Sequence, residues 1–356
     1  MKYLIGVILC LTGLVACTSQ DANIGFIRVK FSEASVPEFA VSKVTRLSSR
    51  DDALLGRFYR LKITSQYYVA GDRSKIIIYT KDGNIHAVIN ALGEGPHEVP
   101  DMSFFHADDS SIMVMNMWKS CMLEFDYDGH FLKTTELKVS YANFIRYKDG
   151  YLFDIQQRGT DAGNVLLLTD MNGEPVKDTI PVIGRGIAYG SDKFQVSKED
   201  GALFLPSFSN TIYKIDEKNV SPFYSFDFGS HWANREECDK FVDNPSGDPF
   251  VLLKHLKRND KICFLRFVDT PDWLVLNFEK QEKHYNWFYN KTIGKQHLVE
   301  YEENKANSLL DYYVIGSEGN EFVTLIPAVE YSQLSGLPKL TVSDEDNPVL
   351  VCYHLK

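Results

Sequence analysis

The sequence predicts an all-β fold, a six-bladed β-propeller of four-stranded antiparallel blades. Three observations carry that expectation. A hairpin motif repeats at near-constant spacing, helical periodicity is scarce, and a strand-like run stands at each end of the body. The motif is a β-run ending in an aromatic, a turn of Asp/Asn-Gly type, and a second β-run. Residues 76–79 lead through Asp82-Gly83 to 85–89, and 122–127 through Asp128-Gly129 to 131–137. Residues 165–168 lead through Asn172-Gly173 to 175–182, and 212–215 through Asp216 and Asn219 to 220–228. Gly83, Gly129, Gly173 and Asn219 are therefore 46, 44 and 46 residues apart. Asp-Gly and Asn-Gly supply the positive φ angles of a tight hairpin. One hairpin plus two further strand-like runs per interval makes four strands per repeat, the period of a propeller. An irregular sandwich with coincidental turns is the alternative, and three near-equal intervals weigh against it.

The elements follow in order. Blade one spans 57–92, blade two 102–137, blade three 144–182 and blade four 193–229. A small helical insertion occupies about 230–260, with an amphipathic helix at 251–256 beside Pro245-Ser246-Gly247. Blade five is 261–302, with strands at 273–278 and 284–289. Blade six begins with a strand at 309–315, continues through 321–328, detours through 331–347 and ends in a strand at 348–355. A run at 26–31 or 41–47 is left over. Pairing the N-terminal run with the C-terminal strands completes blade six and removes exposed edges. The 356 residues, which would suggest two domains on length alone, thus become one ring over 26–356.

The first residues read as an address. Lys2 precedes an apolar run from Tyr3 to Ala16, too short for a transmembrane span and right for a signal peptide over 1–16. Leu14-Val15-Ala16-Cys17 resembles the bacterial lipobox, in which the Cys17 thiol is acylated. An ordinary signal peptide with a chance Cys is the alternative. Residues 17–25 then serve as a polar tether, and an outer-membrane lipoprotein on the periplasmic or cell-surface side is expected. The chain carries 48 Asp+Glu against 38 Lys+Arg without a basic cluster, which excludes nucleic acid as partner. Cys121, Cys238, Cys263 and Cys352 form no C-x-x-C and read as buried small hydrophobes, with three disulfide connectivities left open.

With the lipobox, the aromatic-x-x-Asp-Gly hairpin and Gly93-Glu94-Gly95-Pro96-His97-Glu98 in view, the chain resembles a known family. This is the six-bladed, TolB/NHL-like β-propeller lipoprotein family of Gram-negative gut anaerobes. Its Gly-x-Gly-Pro-Gly-Glu segment follows the first Asp-Gly hairpin, and His97 stands here for the third Gly. The C-terminal run from Asn347 to Val351 also matches the way such chains close. The resemblance implies the fold and the anchor over the whole mature chain and no particular reaction.

Gly93–Glu98 is not a phosphate loop, because no helix start follows to present its amides. It reads as a bend from the outer strand of one blade to the inner strand of the next, echoed at Gly184-Arg185-Gly186. Such connectors are expected to reach the channel mouth, which makes His97, Glu98, Asp101, Arg185 and Tyr189 candidate ligand-binding residues. His-Glu-Val-Pro-Asp misses the second His of a zinc protease motif, and Pro100 would break its helix. The Asp126–Gly129 run lacks the downstream Glu of a calcium loop. No catalytic residue, metal site or cofactor is assigned. Of the tryptophans, Trp232 is the one least explained by core packing. The function expected is a membrane-anchored binding or scaffold module. Its partner is a cell-envelope protein, peptide or glycan held at the channel mouth. The alternative is a propeller hydrolase or lyase using a His/Asp/Arg site there.

Overall fold

The computed structural model describes residues 25–32, 35–56, 60–138, 141, 143–155, 164–181, 192–197, 201–216, 219–233, 236–237, 249–302 and 306–356. The expected signal peptide, Cys17, nearly all of the expected tether, Arg185, Tyr189, Cys238 and Pro245–Gly247 lie outside them. Two strands precede the first blade: β1 (Gly25–Arg28) and β2 (Phe39–Arg46). Blade one holds β3 (Arg60–Ile63), β4 (Tyr67–Gly71), β5 (Ile76–Thr80) and β6 (Ile85–Ile89). Blade two holds β7 (Phe105–Ala107), β8 (Ile112–Asn116), β9 (Cys121–Phe125) and β10 (Phe131–Glu136). Blade three holds β11 (Asn143–Tyr147), β12 (Gly150–Asp154), β13 (Asn164–Asp170) and β14 (Pro175–Pro181). Blade four is β15 (Phe194–Ser197), β16 (Gly201–Phe204), β17 (Thr211–Ile215) and β18 (Val220–Asp227). Blade five is β19 (Leu265–Asp269), β20 (Trp273–Lys280), β21 (Lys283–Asn290) and β22 (Gln296–Glu302). Blade six is β23 (Gly316–Glu318), β24 (Glu321–Ile326), β25 (Val349–Leu355) and, outermost, β2.

The six expected blades and their hairpins are therefore present, and the leftover N-terminal run at 41–47 closes the ring. β2 pairs antiparallel with β25 from Phe39↔Leu355 to Arg46↔Val349. The run at 26–31 has a second use. β1 lies parallel to β18, from Gly25↔Tyr224 to Arg28↔Asp227, as a fifth strand on blade four. The chain then crosses blade five, where Phe31 packs edge-on against Phe278 and Tyr285, and Ser35 bonds to His297 at 2.9 Å. One N-terminal strap thus ties blades four, five and six together.

Both faces of each blade are buried, so the core is divided into layers between neighbours. Val69, Ile76 and Ile78 of blade one meet Val114, Leu123 and Phe125 of blade two. Leu203 and Phe226 of blade four meet Phe267, Leu276 and Trp287 of blade five. The turn glycines explain themselves in the same geometry. Gly83 has φ +85°, and a Cβ there would run into the carbonyl of Arg46 on the outer strand of the preceding blade. Gly173, at φ +80°, faces the Glu136 carbonyl of its own preceding blade, where a Cβ would sit 2.6 Å away. The repeat needs glycine for the turn and again for the blade-to-blade contact.

Two expectations are corrected in detail. The first strand of blade six does not begin at 309. Ser308 accepts from the Leu310 amide while Asp311 accepts from the Ser308 amide, and this reciprocal cap winds Leu309–Asp311 into a 3-10 turn before β23. Trp232 is accounted for by packing, stacked on Phe228 at 5.5 Å against the blade four–five core. Trp118, 79% exposed, is the tryptophan outside the core. The insertion helix α1 (Pro249–Arg258) is present, seating Leu253 and Leu256 against Ala233 and Cys263. A short α2 (Ala328–Tyr331) opens the blade-six detour. Cys121, Cys263 and Cys352 are buried.

Candidate functional site: the central channel

The innermost strands β3, β7, β11, β15, β19 and β23 surround a channel that widens into two cavities. The upper cavity, about 570 Å³, lies at the start of β3 and β19 and is lined by Arg60, Arg266, His284, Tyr301, Tyr312 and Tyr313, among others. The lower, about 630 Å³, lies at the far ends of the inner strands, where Ser65, His106, Asp109, Arg146, Gln195 and Glu318 contribute from different blades. Leu61, Asp192, Phe267, Val268 and Ile315 line both and form the waist between them.

Charge concentrates at that waist. Asp192 has φ 60°, a left-handed conformation that Asp tolerates better than most residues, and it is ion-paired with Lys62. Its side chain keeps 42% of its surface open to the channel. Burial alone would raise its pKa. Lys62, Arg60 and Arg266 outweigh that effect and hold it down to about 2, so Asp192 is a permanent anion at neutral pH. Immediately beside it, Lys193 is buried with Asp154 at 2.7 Å and Ser207, joining blades three and four. Arg60 and Arg266 form no ion pair within 4.0 Å among the described residues. They rest instead over aromatic rings, Arg60 5.7 Å from the centre of Phe104 and Arg266 5.6 Å from that of Tyr313. Burial, and the neighbouring Arg266, push the Arg60 pKa down.

The two mouths differ. At the upper one, His284 stacks on Tyr301 with ring centres 5.1 Å apart and shares a 2.5 Å hydrogen bond with the Tyr313 hydroxyl. Tyr312 donates to Glu330 at 2.8 Å, and Asp311 is occupied by its cap. At the lower mouth Arg146 is fully engaged, by Asp108 at 2.8 Å and Glu124 at 2.7 Å. His106 is held neutral, its pKa down to about 3, by burial first and then by Lys62 and Arg146. Its Nδ1 has no hydrogen-bond partner among the described residues. The two channel histidines belong to opposite mouths and do not converge.

The candidates from the connector stand elsewhere. His97 stacks on Phe131, the first residue of the outermost strand of blade two, at 3.9 Å. Glu98 turns back to accept from the Gly95 amide at 2.7 Å, filling the space that a side chain at Gly93 would need. Lys119 clamps the same bend by donating to the Glu94 and Gly95 carbonyls. Asp101 pairs with Arg73 at 3.1 Å and is the one of this set whose charge reaches Arg60. None of these three lines either cavity. The residues that do, Arg60, Lys62, Asp192, Arg266 and Tyr313, share no motif. Their one local signal is a charge alternating with buried apolar residues in a short strand, as in Arg60-Leu61-Lys62 and Leu265-Arg266-Phe267.

Asp126, Asp128 and His130 bring ligand atoms within 4.8 Å of one another on the exposed turn of blade two. Their hydrogen bonds explain the grouping as a turn: Asp126 accepts from the His130 amide at 2.8 Å, and His86 reaches Asp128 at 3.0 Å.

Residues 38–354 match a protein family described as a domain of unknown function, DUF4934. A protein of Bacteroides fragilis NCTC 9343, provisionally named an exported protein, has a similar solved structure. Its TM-score is 0.77 at 18% identity, covering 94% of this chain and 99% of that one. A DUF4221 member from Bacteroides vulgatus ATCC 8482 is similar at TM-score 0.58 and 11% identity, over 90% of this chain and 98% of that one. No curated protein matches. These likenesses concern the fold. No helix among the described residues is long and apolar enough to cross a membrane.

Proposed function

The chain belongs to the DUF4934 family, and we propose that it is an envelope-tethered binding module whose rigid ring presents a channel mouth to a ligand from its surroundings. The observation that carries this reading is the channel itself. Its two cavities each fall within the roughly 300–1,000 Å³ typical of ligand sites. They are walled by inner strands locked between buried layers, so the site is preorganised. The export signal over 1–16 and the acylated Cys17 supply the anchor in this reading, and the provisional export name of the Bacteroides fragilis protein agrees with it.

Two experiments test it. Cys17→Ala is expected to shift the protein from the membrane to the soluble fraction, whereas continued membrane retention contradicts the anchor. The chain starting at Thr18 keeps every described residue and serves for screening against envelope glycans, peptides and proteins. Ile315 lines both cavities and is 36% exposed, so Ile315→Trp narrows the waist with little cost to the core. A ligand found by the screen is expected to bind at least about tenfold more weakly to this variant, a difference of roughly 1.4 kcal/mol. Undiminished binding places the site outside the channel.

A further inference from the structure

We propose that the upper mouth takes an acidic sugar, a uronic-acid residue at the end of a glycan, with its carboxylate held by Arg60 and Arg266. This rests on the channel-mouth reading above and names the ligand class for it. The argument starts from unequal charge. Four cations, Arg60, Lys62, Lys193 and Arg266, stand around the waist beside two carboxylates, Asp192 and Asp154. The two lysines have taken the two carboxylates, which leaves both guanidinium groups without an ion pair among the described residues. Each guanidinium lies over a ring, Phe104 or Tyr313. A ring contact uses none of the guanidinium's N–H donors in an ion pair, so its fork can take a bidentate acceptor. Asp192 offsets part of the charge of this pair without an ion pair to either arginine, and one incoming carboxylate on their N–H groups offsets the rest.

The rim narrows the class further. Beside the arginines the same cavity wall is acceptor-rich, with Glu302 and Glu330. A second carboxylate on the ligand would be repelled there, while hydroxyl groups find acceptors. The ligand that fits has one anionic group at depth and many O–H donors toward the rim, which describes a uronate better than the apolar or amide-rich tail of a peptide. The rings of Tyr301, Tyr313 and His284, within 5.1–6.1 Å of one another, give the apolar face of a pyranose a surface to pack on.

The test uses the chain from Thr18, titrated by calorimetry with an acidic trimer that has one galacturonic acid at its non-reducing end on two neutral galactoses and, as the neutral control, a galactose trimer. Saturable binding of the acidic trimer alone is expected, weakening as salt is raised. Arg60→Gln and Arg266→Gln are each expected to lose at least about tenfold in affinity, with the melting temperature near wild type. Arg28→Gln, on the outer edge of blade four and 76% exposed, is expected to bind as wild type does. If the acidic trimer does not bind up to about 10 mM, or binds R60Q and R266Q as well as wild type, the proposal is overturned. A peptide with a free C-terminal carboxylate serves as the third probe. Should it bind in an Arg266-dependent way while the uronate does not, the sugar class fails and the channel-mouth reading stands. Should a ligand bind without dependence on either arginine or on Ile315→Trp, both fail together.

Discussion

Asn347→Ala is expected to destabilise the ring by about 3–5 kcal/mol, read as a lower urea midpoint with an unchanged slope. Asn347 is 2% exposed and stands where the blade-six detour re-enters the fold, just before β25. Its Oδ1 accepts from the Leu55 amide at 2.9 Å. Its Nδ2 reaches the Ser48 carbonyl at 3.0 Å, the Ala53 carbonyl at 2.7 Å and the Tyr79 hydroxyl at 3.0 Å. These partners belong to blade one and to the segment leading into it, so one amide fastens both sides of the closing seam. Truncation leaves a buried N–H and carbonyls unpaired, each costing about 1–3 kcal/mol. Asn347→Asp keeps an acceptor for Leu55 but turns a buried carboxylate oxygen toward the Ser48 and Ala53 carbonyls, so a loss at least as large is expected. A change under about 1 kcal/mol for the Ala variant would remove Asn347 from the closure.

Asp154→Ala is the second large effect, again about 3–5 kcal/mol, because it strands a buried ammonium. The Lys193 and Asp154 side chains are 3% and 1% exposed. Replacing both at once, with Lys193→Met and Asp154→Leu, is expected to recover much of the loss, since neither apolar side chain needs solvation. The pH dependence has a definite sign. Burial holds the Lys193 pKa below its ordinary 10.5, against the pull of Asp154. Between the folded pKa and 10.5 the unfolded chain binds the proton more readily, so stability rises with pH in that window. Removing Asp154 lowers the folded pKa further and widens the window. D154A is therefore expected to regain stability relative to wild type as pH is raised from about 7 to about 10. A loss independent of pH would mean that Lys193 stays charged without its partner.

The hairpins were legible in the sequence because their signal is local. A glycine at φ +85° and its preceding Asp lie within one turn, and the 44–46 residue spacing needs only counting. Closure by residues 41–47 was legible for a topological reason, since a ring leaves no edge unpaired. The strap over blade five was not, because β1 finds a parallel partner about 200 residues away that no pattern in either segment announces. The inner strand of blade six was misplaced because Leu309, Leu310 and Val314 are apolar whether they form a strand or a capped turn, and Ser308 with Asp311 decides between them. Among the site residues, the connector was read correctly as a bend, as the Glu98–Gly95 bond shows. Its side chains fasten that bend, so they do not reach the cavities. Arg60, Asp192 and Arg266 come from three blades and meet only when the ring is closed, so nothing within any one repeat identifies them as a group.

The most direct measurement is a crystal structure of the chain from Thr18 grown with the trimer that ends in a single galacturonic acid. The account requires density for a terminal sugar in the upper cavity, its carboxylate between Arg60 and Arg266 and its ring against Tyr313. Density on the connector around His97 and Lys119, or at the lower mouth with the upper cavity empty, would contradict it.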